Sequence, residues 1–133
     1  MNLRRVSCFS VDEMMKPNSL VYLNEISKNI RHLLLNRPSY HNAFNTALAQ
    51  QLIDHCDRIR SSDDHRGTVI LLSGQGQSFC SGADLKERQS IENSHQWMKQ
   101  HHIFEQMFNS IAQLKQPTIA CVEGFALGRF LLY

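Results

Sequence analysis

The stretch best equipped for chemistry runs Ser73-Gly74-Gln75-Gly76-Gln77-Ser78-Phe79-Cys80-Ser81-Gly82-Ala83-Asp84-Leu85-Lys86-Glu87. Glycines placed directly after an apolar run let the backbone approach a ligand closely and turn N–H groups outward. Gly74-x-Gly76 begins like a dinucleotide fingerprint, but Phe79 stands where the third glycine is needed. No GxxxxGK[ST] occurs either, so the phosphate-cradling loops are rejected. Ser81 lacks the GxSxG setting of a nucleophile elbow, and Cys80 has no activating partner and reads as an ordinary small side chain. What remains is backbone chemistry. The loop enters a helix at Ala83–Asp84, where free N–H groups can stabilise negative charge. Asp84 also has a plainer role as the capping acid of that helix, and the spacing alone favours that role.

The elements that must hold this loop can be read on either side of it. Leu20–Glu25 and Ile30–Leu35 read as two strands joined through Ile26-Ser27-Lys28-Asn29 into a hairpin. Asn36-Arg37-Pro38 ends the second strand, because proline removes a ladder donor and biases its predecessor away from helix. Asn36, Arg37 and Asn42 are expected to order this turn and not to touch a ligand. Asn42 is the candidate N-cap of a helix of about four turns whose buried stripe is Phe44, Leu48, Leu52, Cys56 and Ile59. Thr68–Ser73 is apolar without alternation and predicts a strand buried on both faces. After the loop come a polar helical stretch, Leu85–Gln89, and a longer helix from Ser94 to Leu114. The core stripe of the longer helix is Trp97, Phe104, Phe108 and Ile111, with Met107 and Leu114 alongside. Pro117 breaks the pattern, and Thr118–Val122 reads as a second strand of the buried type. Strands alternating with helices argue for an α/β layer fold with right-handed crossovers.

The composition excludes several classes. The 133 residues hold 14 Lys+Arg against 12 Asp+Glu, a net charge of +2, too balanced to call for a nucleic-acid or membrane partner. No stretch approaches the roughly 20 apolar residues that cross a bilayer. The four cysteines form no CxxC pair, and the seven histidines give no HExxH or other i, i+4 pair, so no metal site is expected. The first ten residues, MNLRRVSCFS, carry two arginines and two serines with no acid, the composition of an organelle presequence or of an ordinary unstructured start. The expected location is mitochondrial, otherwise cytoplasmic.

Three ordered motifs carry a resemblance. Leu35-Asn36-Arg37-Pro38 with Asn42-Ala43, then Phe79-Cys80-Ser81-Gly82-Ala83-Asp84-Leu85-Lys86-Glu87-Arg88, then Pro117-Thr118-Ile119-Ala120 with Gly124-Phe125-Ala126-Leu127-Gly128, together resemble the enoyl-CoA hydratase/isomerase (crotonase) superfamily. The nearest branch is that of methylglutaconyl-CoA hydratase and the enoyl-CoA hydratase domain-containing proteins. The resemblance covers residues 20 to 128 and implies the N-terminal part, truncated, of a crotonase-type α/β fold built from ββα repeats. Residues 1–19 are then a disordered or targeting segment, and 129–133 a divergent end.

The resemblance also implies a mechanism. The substrate is an acyl-CoA, with no separate cofactor, and its thioester carbonyl sits between two backbone N–H groups that hold an enolate oxyanion. Ala83 matches one donor. The second falls at Arg129, where the family has the middle glycine of a Gly-Gly-Gly run. Cys80, Ser81, Gly82, Ala83, Asp84, Leu85 and Lys86 match the loop that contacts the bent CoA. Hydratases then activate water with two glutamates. The first belongs at position 132, which is Leu132 here, and the second belongs beyond Tyr133. The family forms trimers or hexamers, and residues 129 onward no longer follow its pattern. RNA binding, known in this branch through a lysine-rich first helix, is not expected. The segment from 42 to 66 has no lysine, and Arg58, Arg60 and Arg66 are offset by Asp54, Asp57, Asp63 and Asp64.

Overall fold

The structure is a computed structural model, described here for residues 18–62 and 68–128. The expected 1–19 and 129–133 segments therefore lie almost wholly outside the described residues. Strands β1 (Val21–Ser27) and β2 (Ile30–Leu35) form an antiparallel hairpin around Lys28-Asn29. This turn is two residues shorter than the sequence pattern suggests. A register irregularity between Glu25 and Ser27 accommodates the extra residue, and Ile26 turns out to solvent there. Strands β3 (Val69–Gly74) and β4 (Thr118–Cys121) continue the sheet in the order β1-β2-β3-β4, each parallel to its predecessor from β2 onward. The α/β reading holds.

Helix α1 (Thr46–Ser61) follows β2, while α2 (Leu85–Gln89) and α3 (Ser94–Ala112) separate β3 from β4. The α1 stripe is as expected: Leu48, Leu52, Cys56 and Ile59 are all buried. They share one core with Val21, Leu33, Leu35, Ile70 and Leu72 from the sheet and with Phe104, Met107 and Phe108 from α3. Residues two apart on a strand point to the same face, so both helices cover one side of the sheet. Phe44 anchors the junction. Its ring meets Phe104 and Phe108 edge-on, with centroids 4.8 and 5.6 Å away.

Three expectations need correction. The cap of α1 is Asn45, whose side chain accepts from Leu48 N–H; Asn42 lies three residues before that cap in left-handed backbone with φ 54°. Trp97 is not core. It stands 41% exposed, stacked on His101 and covered by the Arg88 guanidinium. Neither apolar strand is buried on both faces: β3 buries only Ile70 and Leu72, and every residue of β4 is exposed. Ile119 within β4 and Val122, Phe125 and Leu127 after it are all exposed. An unalternating apolar run records what a strand can be packed against, and in this chain one sheet face has no covering element among the described residues. No helix among those residues is long and apolar enough to cross a membrane.

Candidate functional site

The loop after β3 lies between two other segments, and hydrogen bonds tie it to both. On one side is the turn after β2. Pro38 opens a short 3₁₀ turn, Pro38–Tyr40, closed by His41 and Asn42 in left-handed backbone. Asn42 is fully buried: its Oδ1 accepts from Arg37 N–H at 2.8 Å, and its Nδ2 donates to Ser78 O at 2.7 Å and Gln75 O at 3.0 Å. It orders the turn, as expected, by clamping it to the loop. Gly74 makes room for that clamp, since a Cβ there would lie 2.6 Å from Asn42 Nδ2 and 2.3 Å from Ser78 O.

On the other side runs the segment after β4. Phe79 N–H donates to Glu123 O, Cys80 N–H to Phe125 O, and Leu127 N–H to Cys80 O, at 2.7, 2.9 and 2.9 Å. Gly124 is required there. It has φ 63°, and a Cβ on it would lie 1.9 Å from Gln77 O. His41 bridges both sides, with Nδ1 3.1 Å from Ser78 Oγ and its ring edge-on to Phe125.

These bonds determine where Ala83 points. Phe44 N–H donates to Gly82 O and Asp84 N–H donates to Phe44 O, both at 2.9 Å. In such a parallel bridge the middle residue's own N–H and C=O face away from the bridging strand. Ala83 therefore turns its N–H away from Phe44, and no acceptor among the described residues takes it. Gly82 makes this direction possible. Ser81 N–H and Gly82 O both bond toward the His41–Phe44 side, which breaks normal strand alternation, and Gly82 absorbs the break with φ 94°. The Gly82 Cα lies close against Leu127 and Gly128, so the two glycine loops are neighbours.

Asp84 has the capping role: its Oδ1 accepts from Lys86 and Glu87 N–H at 2.9 and 3.3 Å. Its Oδ2 pairs with Arg37 Nη1 at 2.7 Å, with both side chains nearly out of solvent. Burial alone would raise the Asp84 pKa. The Arg37 hydrogen bond and charge, together with the two N–H bonds, outweigh burial and hold it below the usual carboxylate value. Arg37 Nη1 also donates to Ala43 O, and its guanidinium lies 4.1 Å above the Tyr40 ring.

The remaining loop positions divide by exposure. Cys80 is fully buried, and burial pushes its thiol up to about 11 against the hydrogen bonds from Gly82 and Phe44 N–H. Gly82 is buried, Ser81 half-buried, and Leu85 and Lys86 are exposed on the first turn of α2. Arg129 and Leu132 lie outside the described residues. Among the described residues no group of His, Cys, Asp and Glu is gathered closely enough to hold a metal ion.

Sequence reasoning missed Glu87 as an organiser. Its Oε2 accepts from Thr46 N–H at 2.9 Å and Gln100 Nε2 at 2.8 Å, joining α2 to the start of α1 and to α3. Nothing local signals this, because the three residues are far apart in the chain. The double role of Phe44, ring in the core and backbone on the loop, was missed for the same reason.

A mostly parallel sheet whose strand ends open into two cross-bonded glycine loops, with the Ala83 N–H unbonded among the described residues, defines an α/β protein with a candidate backbone-built site. Residues 25–129 match the family model for enoyl-CoA hydratase/isomerase. The chain belongs to that family. It is 36% identical over 106 residues to enoyl-CoA hydratase domain-containing protein 2, mitochondrial, of Homo sapiens, a match covering 76% of this chain and 34% of that protein. It is also 36% identical over 107 residues to the mitochondrial methylglutaconyl-CoA hydratase of Mus musculus, covering 80% and 33%. Among solved structures, enoyl-CoA hydratase from Bacillus anthracis superimposes with a TM-score of 0.75 at 30% identity, over 83% of this chain and 42% of that one. The chain thus spans between a third and a half of the length of these relatives.

Proposed function

We infer that this chain is an acyl-CoA-binding, enoyl-CoA hydratase-like protein of fatty-acid or branched-chain acyl-CoA metabolism, and that it lacks full hydratase activity. The observation that carries the reading is the Ala83 N–H, which has no acceptor among the described residues and faces away from Phe44, next to the Gly82 that packs against Leu127 and Gly128. A thioester carbonyl placed there receives one hydrogen bond from Ala83, and motif position assigns the second donor to the peptide N–H of Arg129. Such donors stabilise the enolate more than the ground-state carbonyl, because charge develops on the oxygen. Ser81, Leu85 and Lys86 form the accessible rim for CoA, while Cys80 and Asp84 support it from within.

Water activation is a separate task. Leu132 stands where the family places its first glutamate, and an alkyl side chain neither accepts nor delivers a proton. Arg129 brings a Cβ, followed by Phe130, into the second donor loop, where the family has glycine. A non-catalytic, CoA-binding product is therefore the second reading, and it differs from the first only in turnover. The mitochondrial location of two relatives and the arginine-containing, acid-free first ten residues support a mitochondrial location for this chain too. Calorimetric titration of the purified chain with butyryl-CoA tests the reading. Saturable binding that weakens several-fold in Lys86→Ala is expected, and no binding by the unmodified chain would overturn it.

A further inference from the structure

The direction of the Ala83 N–H depends on the Phe44 bridge, and the bridge depends on Asp84 staying in place. Rotating the Gly82–Ala83–Asp84 backbone would require Asp84 N–H to leave Phe44 O. Asp84 is fastened against this movement through its side chain. Oδ2 is paired with Arg37 Nη1, and that same nitrogen donates to Ala43 O, the carbonyl just before Phe44. The contacts close a ring: Phe44 backbone to Asp84 backbone, Asp84 carboxylate to Arg37, and Arg37 back to the peptide that precedes Phe44. The Tyr40 ring covers the guanidinium, and Asn42 fixes the Arg37 backbone through Arg37 N–H.

We propose that Arg37 and Asp84 act as a positioning couple that aims the Ala83 N–H at a bound thioester carbonyl. The role rests on the reading of Ala83 given above. Both Asp84 oxygens are taken by Arg37, Lys86 N–H and Glu87 N–H, and the two side chains are only 14% and 9% exposed. They are positioning residues, not catalytic ones. The couple also accounts for why an arginine in the first turn matters to a loop 47 positions later in the chain (84 − 37). Lysine could supply the charge and a donor, but not the planar guanidinium that lies over the Tyr40 ring.

The test uses the full chain with a chromophoric enoyl-CoA, a dimethylaminocinnamoyl thioester, whose absorbance moves to the red when its carbonyl is polarised. Free CoA, which has no carbonyl at that position, is titrated in parallel. Arg37→Met and Asp84→Asn should each lose at least half of the red shift, while the Kd of Arg37→Met for free CoA stays within about twofold. Arg37→Lys should recover part of the shift. Amide exchange supplies a readout without ligand. The Phe44 and Asp84 N–H groups should exchange about tenfold faster in Arg37→Met, with the α1 amides unchanged. An undiminished red shift with unchanged exchange in Arg37→Met overturns the couple. So does a parallel loss of CoA affinity and of the unfolding midpoint in all three variants, which marks a purely structural pair. An unmodified chain that binds no CoA, or binds the chromophore without a red shift, overturns the oxyanion reading and this role with it.

Discussion

Replacing Asn42 by alanine removes the clamp between the turn after β2 and the loop after β3. The side chain is fully buried and makes three hydrogen bonds, to Arg37 N–H, Gln75 O and Ser78 O. Gln75 is exposed, so water can take over its carbonyl. The Arg37 N–H and Ser78 O are more enclosed, and each unmet buried group costs about 1–3 kcal/mol. A water entering the vacated polar space offsets part of that sum, which leaves a net destabilisation of about 3 kcal/mol. For a chain of this size the unfolding midpoint should fall by about 10 °C. Urea unfolding followed by circular dichroism gives the free energy directly, with Ser39→Ala as an exposed control in the same turn. Asn42→Asp should do no better than alanine, because it points a carboxylate at two carbonyl oxygens. A loss below about 1 kcal/mol in Asn42→Ala, or one matching the control, would refute the claim that this residue holds the loop.

Phe108 and Trp97 lie on one helix and should behave oppositely. Phe108→Ala should cost about 3–5 kcal/mol in denaturant unfolding, and Trp97→Ala less than about 1.5 kcal/mol, since only the first leaves a cavity. Thiol mapping by mass spectrometry after brief alkylation of the folded chain should find Cys121 modified and Cys56 and Cys80 protected. The latter two are buried with pKa values pushed up to about 12 and about 11, mainly by burial. Asp84 should appear in the acid limb of stability. Its folded pKa is depressed, so its contribution is complete above the carboxyl's unfolded pKa and is lost as pH falls through the folded value. Asp84→Asn should therefore flatten the acid limb of the stability curve, and a limb of unchanged steepness would count against the ion pair.

The elements were legible in the sequence because their signals are local. Four stripe residues on α1, the bounds of α2, and β2 from Ile30 to Leu35 follow from periodicity and turn chemistry alone. Asn42 and Asn45 show where local reading stops. Both are plausible caps by type, and only the left-handed backbone of Asn42 and its bonds to Gln75 and Ser78, more than thirty residues away, assign each its role. Trp97 fits a helical stripe, yet the stripe is wider than the surface available to bury it. The apolar β4 predicted burial because composition reports compatibility with a core, whereas burial depends on what else is present. At the site, the motifs located the loop. The direction of the Ala83 N–H came from a left-handed φ at Gly82 and a bridge to Phe44, both set by tertiary contacts.

The central proposal is that this chain holds an acyl-CoA without full hydratase activity, since Leu132 stands in the acid's place. Its most direct test is the hydration of crotonyl-CoA by the purified chain, followed by loss of the conjugated thioester absorbance. At most a trace of hydration above buffer is expected at protein concentrations that saturate CoA binding, and none under the non-catalytic reading. A hydration rate well above that trace, rising in proportion to the concentration of the chain, would contradict the proposal.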